Sequence, residues 1–499
     1  MNRALLRLSL ACLAMFVLLL INVNYVQAFE STSLTTKPGN IRIFDQQFQY
    51  QRGSIIATGD HTGGGVKIAD SRLVKGTSTY RRYYPFGPVF APVTGYDSIY
   101  GATGIEGAED KELAGTDQRL AVHNIVSLFT GKPRLGATVF LTISPKAQQA
   151  AYQALKAQSV KDNGLPSAVV AIDPSTGAIL ALASYPTFNP NAYTTFSGTR
   201  LVKSDNRYRH EKSQPLLNRA INATYPPGST FKVVTSATWL SGNAGRSPQS
   251  TVPAPPALKL PNGNLLHNDA GETCGNGNPP LIQAFYVSCN TAFGSLGIKV
   301  GARALLNQAS LFGLNSSKLA IPLPVSASRY PLEPDPSLRA LSAIGQLDDQ
   351  VTPLQEAMFA ATIANGGTLM TPYLVQNIQA PDLRNIQSAS PTGTVLSKPV
   401  SSQVASEIGQ MMFQVTHNQG GTAFATANPQ VAGVDISGKT GTAENGVNNA
   451  GLNDAVFTCF APSANPKIAV GVIVQGGGFG ADAAAPIAVK IIQAYLGRK

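Results

Sequence analysis

Three short stretches carry residues whose types and spacing could perform nucleophilic chemistry. They are Ser229-Thr230-Phe231-Lys232, Ser288-Cys289-Asn290 and Lys439-Thr440-Gly441-Thr442. They offer a serine nucleophile, a lysine base, a hydroxyl that can relay a proton and groups that can bind a carboxylate, which is what acyl transfer through a serine requires. One S-x-x-K stretch arises readily by chance. All three motifs in this order, with wide separations, form a much more specific signal.

The residues around Ser229 predict that it begins a helix. Pro226-Pro227-Gly228 forces a turn, and Lys232 lies one helical turn beyond Ser229, so the two side chains share a face. The positive end of the helix dipole and partial burial both lower the pKa of the lysine, which could then accept the Ser229 proton. Taken alone, the stretch is better explained by a capping serine followed by a solvated lysine, and only the other two motifs favour the catalytic interpretation.

Ser288 and Asn290 follow the apolar run from Leu281 to Val287, where a turn or a helix end could direct both polar groups into a cleft. In that arrangement Ser288 would relay the proton to the leaving group, and Asn290 would hold the amide of the substrate. Locally, a helix end capped by Ser and Asn is the simpler explanation, and only the other motifs favour the catalytic one.

The third motif is predicted to lie on a strand. Alternation would place Lys439 and Gly441 on one face and Thr440 and Thr442 on the other. Gly441 would let the substrate backbone approach closely, while Lys439 and the threonine hydroxyls would bind a carboxylate. The N–H groups of Thr442 and Ser229 would form an oxyanion hole. The alternative is a hairpin turn that contains glycine.

The elements that must position these motifs are strands near both ends of one domain, with helices between them. Alternating or continuous apolar runs predict these strands: 138–143, 168–173, 178–184, 433–437, 455–460 and 467–475. Helical spacing predicts these helices: 145–159, 231–240, 354–365 and 483–496. We therefore expect an α/β (α+β) fold, in which the chain leaves one sheet and rejoins it, with helices packed around.

Composition limits the class of protein. The 499 residues are 43% hydrophobic and 13% charged, which is typical of a folded chain of two or three domains. The net charge of +11 comes from dispersed basic residues with no nucleic-acid motif, so we expect no nucleic-acid partner. Attraction to an anionic membrane or polymer, or a solvated basic surface, accounts for the charge equally well.

The N-terminus carries a candidate membrane segment. Arg3 and Arg7 precede an almost uncharged stretch from Leu8 to Phe29, with its densest apolar run from Leu10 to Ile21. This pattern fits a membrane anchor, and it also fits a signal peptide cleaved after Val26-Gln27-Ala28. Either interpretation places the remaining chain outside the cytoplasm, and the basic flank keeps the N-terminus inside.

Four cysteines fit an exported protein. Cys274 and Cys289 are 15 residues apart and could form a disulfide beside the second motif, although two free thiols are as plausible. Cys12 lies in the apolar N-terminal segment, and Cys459 lies in a predicted buried strand. The five histidines show no ligand-like spacing, so we expect neither a metal site nor a cofactor.

The chain resembles the class B penicillin-binding proteins, and most closely their short actinobacterial type. The three motifs are those of penicillin-binding proteins and class A β-lactamases. Further shared stretches are Arg52-Gly53-Ser54-Ile55, Gly104-Ile105-Glu106-Gly107, Ala171 to Gly177, Asn218-Arg219-Ala220, Tyr225 to Gly228, Gly345-Gln346, Asn365-Gly366-Gly367 and Lys439 to Glu444. The resemblance covers nearly the whole chain.

The resemblance implies a membrane-bound peptidoglycan D,D-transpeptidase. It implies a serine-acylation fold, a sheet flanked by helices with an all-helical subdomain, in residues 136–499. An uncleaved single-pass anchor would occupy residues 1–28, and a pedestal or dimerisation-like module residues 29–135. Ser229 would attack the penultimate D-Ala carbonyl of a stem peptide, and an amine on a neighbouring stem would take the acyl group. β-Lactams would be covalent inhibitors, and a glycosyltransferase with division or elongation proteins would be partners.

One departure and two alternatives remain. Where many relatives have His-Ala-Trp, this chain has Asp454-Ala455-Val456, which puts aromatic substrate contacts in doubt. A hydrolase, either a D,D-carboxypeptidase or a β-lactamase, would use the same acylation with water as acceptor. Glu333 and Glu356 lie between the motifs, but neither is an assured deacylation base. A catalytically silent scaffold that binds β-lactams is the second alternative, and the complete motifs argue against it.

Overall fold

The structure is a computed structural model of the chain. It describes residues 3–30, 48–60, 65–120, 134–243, 245–271, 273–316, 319, 321–444 and 452–498. The strands are β1 (Ile55–Ala57), β2 (Val66–Leu73), β3 (Tyr80–Tyr83), β4 (Asp97–Ser98), β5 (Gly101–Ala102), β6 (Thr138–Leu141), β7 (Ser167–Ile172), β8 (Ile179–Tyr185), β9 (Ala257–Lys259), β10 (Leu265–His267), β11 (Leu369–Met370), β12 (Val375–Gln379), β13 (Asn385–Ser388), β14 (Val395–Ser397), β15 (Ser437–Ala443), β16 (Asp454–Ala461) and β17 (Ile468–Val474).

The helices alternate with these strands. They are α1 (Arg3–Tyr25), α2 (Ala91–Thr94), α3 (Gly104–Ala108), α4 (Asp110–Leu113), α5 (Pro145–Lys161), α6 (Gly198–His210), α7 (Arg219–Asn222), α8 (Lys232–Ser241), α9 (Leu281–Tyr286), α10 (Asn290–Val300), α11 (Ala302–Leu311), α12 (Pro336–Ser342), α13 (Pro353–Ala364), α14 (Ser402–His417), α15 (Phe424–Ala427), α16 (Pro429–Ala432), α17 (Gly480–Ala483) and α18 (Ala485–Leu496).

A five-stranded antiparallel sheet organises the C-terminal part, in the order β15-β16-β17-β7-β8. The chain enters it at β7 and β8, leaves for more than two hundred residues and returns at β15, as the sequence predicts. Side chains of β7 alternate between the two faces: Val170 belongs to the same buried cluster as Met358 of α13, and Val169 belongs to the same cluster as Leu155 of α5. Helices therefore cover both faces of this sheet, and β15 is left at its edge.

A second group of elements is all helical. Helix α8 contacts α10, α11 and α14, and α9 also packs against α14. The apolar faces of these helices form one continuous core with the five-stranded sheet. This core includes Phe231, Phe285 and Phe293. The predicted fold, a sheet flanked by helices with an all-helical subdomain, is confirmed. The active-site motifs lie where these two groups of elements meet.

The first module shares a sheet with the rest of the chain. Its strands β1, β2 and β3 continue through β6 into β12 and β13, in the order β13-β12-β6-β1-β2-β3. The sheet therefore joins residues on both sides of the predicted boundary at 135. That boundary and the one at 28 stay predictions.

A buried charge cluster holds the first module together and explains two of the stretches that carried the resemblance. The Glu106 carboxylate accepts from Arg52 Nε at 2.7 Å and from Arg82 Nε at 2.5 Å. Tyr84 donates its hydroxyl to the same carboxylate at 3.1 Å. All four side chains are buried. Each charged group among them is paired with an opposite charge, which compensates for the loss of its contact with water. These residues build the module and are remote from the three motifs in sequence.

Local differences from the predicted elements are small, with one exception. Residues 433–437 were expected to form a strand, but Gly433 adopts a left-handed conformation that ends α16, and β15 begins only at Ser437.

At the N-terminus, the segment Leu6–Glu30 is long and apolar enough to cross a membrane, and none of it is buried against the protein. A signal sequence would have the same features.

Candidate active site

Ser229 lies in a 3₁₀ turn, Gly228–Phe231, that leads directly into α8. Gly228 has φ of +55°, a conformation that favours glycine, and its N–H donates to Gly345 O at 2.9 Å. The expected helix start is therefore correct in place, although its first turn is tighter than an α-helix. In the part of the chain that the structure describes, no side-chain hydrogen bond holds Ser229 Oγ, and the side chain is at the wall of a cavity.

Lys232 is fully buried and points towards the second motif. Its Nζ lies 2.8 Å from Ser288 O, 3.2 Å from Ser288 Oγ and 2.7 Å from Asn290 Oδ1; the ammonium form donates to all three, and the neutral amine, with two hydrogens, donates to two of them. Burial lowers the pKa of Lys232 to about 7, against the opposing effect of the Asp269 charge. A substantial fraction of this amine is therefore neutral near pH 7, as a general base requires. The solvated lysine of the simpler interpretation is not what the structure contains.

Ser288 occupies the link between α9 and α10. Its φ of +61° is unusual for a residue with a side chain, and it turns the hydroxyl towards the two lysines. Ser288 Oγ accepts from Lys232 Nζ and also from Lys439 Nζ at 2.9 Å. Cys289 immediately precedes the first residue of α10, and its side chain makes no hydrogen bond that caps the helix. The polar groups of the motif thus bind the lysines, and the alternative of simple helix capping is wrong.

Asn290 is held from both ends of its amide. Its Oδ1 accepts from Lys232, and its Nδ2 donates to Asp269 Oδ1 at 3.1 Å and to His267 O at 3.4 Å. The carboxylate of Asp269 therefore fixes which way the amide faces. No sequence pattern pointed to Asp269, because it lies in a polar loop 21 residues before Asn290.

Lys439, which the sequence predicts to bind a substrate carboxylate, lies inside the protein. Its side chain is fully buried, and Nζ donates to Ser288 Oγ and to Thr440 O, both at 2.9 Å. Burial, and then the charge of Lys232, lower the pKa of Lys439 well below its usual value. Thr440 Oγ1 is likewise engaged, by Thr422 Oγ1 at 2.7 Å. Neither Lys439 nor Thr440 lines the cavity, whereas Thr442 does.

Gly441 lies where β15 packs against the turn that carries Ser229. A Cβ at this position would lie 2.7 Å from Pro227 O, 3.0 Å from Val456 Cβ and 3.1 Å from Thr230 Cγ2. The missing side chain thus makes room for the turn that carries Ser229. Strand β15 can therefore pack directly against the nucleophile, with Thr442 beside it.

The cavity at Ser229 has a volume of about 740 Å³ and an acidic, polar wall. Besides Ser229, Asn290 and Thr442, its lining includes the carboxylates of Asp269, Glu444 and Asp454. Asp454 stands where the resembling proteins have histidine, and its Oδ1 accepts from Gly476 N at 2.7 Å. Gln346 bridges the wall, because Nε2 donates to Thr442 O and Oε1 accepts from Glu444 N, both at 3.3 Å. The position of the aromatic residue in those proteins is taken here by Val456, which is buried and does not line the cavity.

A disulfide joins Cys274 and Cys289, with 6.1 Å between their Cα atoms. It ties the loop before α9 to the middle residue of the second motif. Cys12 is exposed and Cys459 is buried, and both are free. Among the residues that the structure describes, no group of His, Cys, Asp and Glu has the arrangement of a metal site.

The two glutamates considered for a hydrolase are elsewhere. Glu333 Oε1 accepts from Asp335 N at 3.1 Å on the surface before α12. Glu356 is fully buried in α13 and contacts Thr230 rather than the cavity. Neither carboxylate lines the space in front of Ser229, so neither is placed to activate a water there.

Comparisons with known proteins agree with this geometry. The family model described as the penicillin binding protein transpeptidase domain matches residues 167–493, and that of the penicillin binding protein A dimerisation domain matches residues 52–139. The peptidoglycan D,D-transpeptidase PbpA of Mycolicibacterium smegmatis is 40% identical over 508 residues, which cover 99% of each chain. PbpA of Mycobacterium tuberculosis H37Rv is 40% identical over 505 residues, again 99% of each.

Solved structures give the same result. Penicillin-binding protein A from M. tuberculosis as a ceftriaxone acyl-enzyme complex has a TM-score of 0.83 at 39% identity, covering 90% of this chain and 99% of that one. Its penicillin G acyl-enzyme complex has a TM-score of 0.82 at 40% identity, covering 90% of this chain and all of that one.

Proposed function

The chain belongs to the penicillin-binding protein transpeptidases, and we propose the route by which its residues perform D,D-transpeptidation. The reaction forms a crosslink between peptidoglycan stem peptides, and β-lactams inhibit it by acylating the same serine. The observation that carries the route is the chain of contacts from Lys232 through Ser288 to Lys439, beside a serine that opens onto the cavity.

The first half-reaction forms an acyl-enzyme. Ser229 Oγ attacks the carbonyl carbon of the penultimate D-Ala, and its proton passes to the neutral amine of Lys232. Ser288 then relays a proton to the nitrogen of the terminal D-Ala as the peptide bond breaks, so that D-Ala leaves as a neutral amine. The N–H groups of Ser229 and Thr442 stabilise the oxyanion of the tetrahedral intermediate.

The second half-reaction transfers the acyl group to an amine of a neighbouring stem peptide. The amine attacks the ester carbonyl, and its proton returns through Ser288 and Lys232 to Ser229 Oγ as the ester bond breaks. The enzyme is thereby restored with no net change in protons. A carboxypeptidase would use water in this step, and the partition between transfer and hydrolysis distinguishes the two reactions.

Buried lysines also imply how substrate binds. Because Lys439 lies behind Ser288, its effect on a substrate carboxylate acts through Ser288 and Thr442 rather than by direct contact. Asn290 presents its amide to the peptide, in an orientation set by Asp269. These assignments can be separated by measuring KM and kcat for variants of each residue.

The test measures how the acyl-enzyme divides between transfer to an amine and hydrolysis by water. The full chain is incubated with a diacylated D-Ala-D-Ala peptide and a D-amino acid acceptor, and products are separated by mass. We expect the aminolysis product to dominate and to disappear in Ser229→Ala. Free acid as the sole product at all acceptor concentrations would make the protein a carboxypeptidase, and no product with either protein would favour a scaffold.

The N-terminal segment supports a membrane location for the protein. Leu6–Glu30 acts as a single-pass anchor with the N-terminus in the cytoplasm and the catalytic domain outside. A reporter fused after Lys499 should be active only if it functions outside the cytoplasm. We also propose that the first module contacts a glycosyltransferase and other wall-synthesis proteins, which crosslinking of the full chain in membranes would test.

A further inference from the structure

A buried carboxyl group lies directly beneath the turn that carries the nucleophile. Glu356 of α13 is fully buried, and its Oε1 is 2.8 Å from Thr230 Oγ1. Thr230 is the residue after Ser229, and its Oγ1 is also 2.8 Å from Pro227 O. Glu356 Oε2 has no hydrogen-bond partner among the described residues. The route proposed above makes no use of this group.

Counting hydrogens assigns the protonation state of this contact. A threonine hydroxyl has one hydrogen, and the carbonyl oxygen of Pro227 can only accept. If Thr230 donates to Pro227 O, Glu356 must supply the hydrogen between Oε1 and Thr230 Oγ1, which only a neutral carboxyl can do. If Glu356 is ionised, it takes the Thr230 hydrogen and Pro227 O loses its donor.

No charged neighbour compensates an ionised Glu356. The nearest contacts from the sheet are Thr458, whose hydroxyl donates to Glu356 O, and Gly471, neither of which can titrate. Helix α13 packs against β7, β11, β16, β17, α7 and α14. The ionisable residues of these elements bind elsewhere or make no ion pair with Glu356: Asp454, Cys459, Arg219, Glu407 and His417. Lys232 and Lys439 direct their amines to Ser288.

We propose that neutral Glu356 is a positioning residue, which holds the Ser229 turn closed through Thr230 and loosens it on ionisation. The bond from Thr230 Oγ1 to Pro227 O spans the turn in which Ser229 lies, so its loss frees the backbone on both sides of the nucleophile. Burial raises the pKa of Glu356 to about 8, and the hydrogen bond from Thr230 opposes this. The turn is therefore closed near neutrality and opens as Glu356 gives its proton to the solvent at higher pH.

The inference rests on acylation of Ser229 and is tested by its pH profile. The second-order rate of acylation by penicillin is measured with the full chain, wild type and Glu356→Gln, from neutral to alkaline pH. Glutamine can donate its amide N–H to Thr230 but cannot ionise. We expect equal rates near neutrality and, at alkaline pH, a wild-type rate about fivefold below that of Glu356→Gln, which corresponds to one net hydrogen bond.

The chain offers a matched control in Asp349. This carboxyl is also fully buried, and burial raises its pKa. It accepts a hydrogen bond from Ser342 Oγ at 2.8 Å rather than from the nucleophile turn, Gly228–Phe231. Asp349→Asn should keep the wild-type profile. Identical profiles for wild type and Glu356→Gln, or the same change in Asp349→Asn, would overturn the proposal.

A second variant guards against a merely structural effect. Thr230→Val removes the hydroxyl, so it should lower acylation at every pH and make the Glu356→Gln substitution silent in the double variant. If Glu356→Gln still changed the alkaline limb in the absence of the Thr230 hydroxyl, the proposed connection would be wrong. Failure of wild type to acylate at any pH would instead contradict the proposed function.

Discussion

Lys232 and Lys439 direct their amines at the same atom, Ser288 Oγ, over 3.2 and 2.9 Å. Burial lowers the pKa of both amines, and the charge of Lys232 lowers that of Lys439 further. The three residues come from three separate motifs, so the site exists only when α8, the α9–α10 link and β15 are all in place. Ser288 is the point through which a proton can pass between them.

Removal of the Ser288 hydroxyl should therefore interrupt the relay. We expect Ser288→Ala to lower the acylation rate about a hundredfold, in the range of general acid–base contributions, while the fold persists. Ser295→Ala is the control, because that hydroxyl donates to Thr291 O within α10 and has no other hydrogen bond among the described residues. Stopped-flow acylation by a chromogenic β-lactam measures both. A Ser288→Ala rate within twofold or so of wild type would exclude the relay.

Acylation should also rise with pH through the titration of Lys232. The lowered pKa means that the folded protein loses this proton near pH 7, so the neutral base becomes available as pH increases. We expect the rate to increase about tenfold between about pH 6 and about pH 8, as the neutral fraction of a base with this pKa does. A rate that is flat over that range, measured with a β-lactam that does not itself titrate, would remove Lys232 as the base.

Gly441→Ala should displace the nucleophile turn. The added methyl group meets Pro227 O at 2.7 Å and cannot be accommodated without a backbone shift. We expect acylation to fall at least about tenfold, with stability lower by about 1–3 kcal/mol. Gly409→Ala in α14 is the control, because its methyl meets only ordinary contacts at 3.8 and 3.9 Å. Equal acylation by the two variants would show that close packing at Gly441 is unimportant.

The disulfide should contribute to stability. It closes a loop with a sequence separation of 15 residues, for which the chain-entropy estimate is about 3 kcal/mol. Cys274→Ser should lower the free energy of unfolding by about that amount, measured by denaturant titration. Alkylation of the unfolded protein without reductant should modify two of the four cysteines, Cys12 and Cys459, and all four after reduction. Four modified cysteines without reductant would show that the bridge is absent.

Much of this fold could be predicted from the sequence because its local signals are strong. The apolar runs that form β7, β8, β16 and β17, and the proline-started helices α5 and α13, lie within one or two residues of their predicted positions. Gly433 misled the prediction, because an apolar run continues through it while its left-handed conformation ends a helix. The strand propensity of a short apolar segment does not indicate at which residue the backbone turns.

The chemistry of the site depended on contacts that no local pattern contains. The motifs identified Lys439 and Gly441 as site residues. The burial of Lys439 and the packing of Gly441 against Pro227, however, arise only when β15 contacts the turn that carries Ser229. Asp269 and Glu356 were missed in their roles for the same reason, since each acts on a residue distant in sequence. Buried polar groups of this kind are specified by their tertiary partners.

The central claim is that Ser229 forms a long-lived acyl-enzyme. Its most direct test is the intact mass of the full chain, in detergent or nanodiscs, incubated with a penicillin and followed over hours beside Ser229→Ala. We predict a mass increase of one drug molecule that persists in the wild type and is absent from the variant. An adduct that also forms on Ser229→Ala, or one that vanishes within seconds, would contradict the claim.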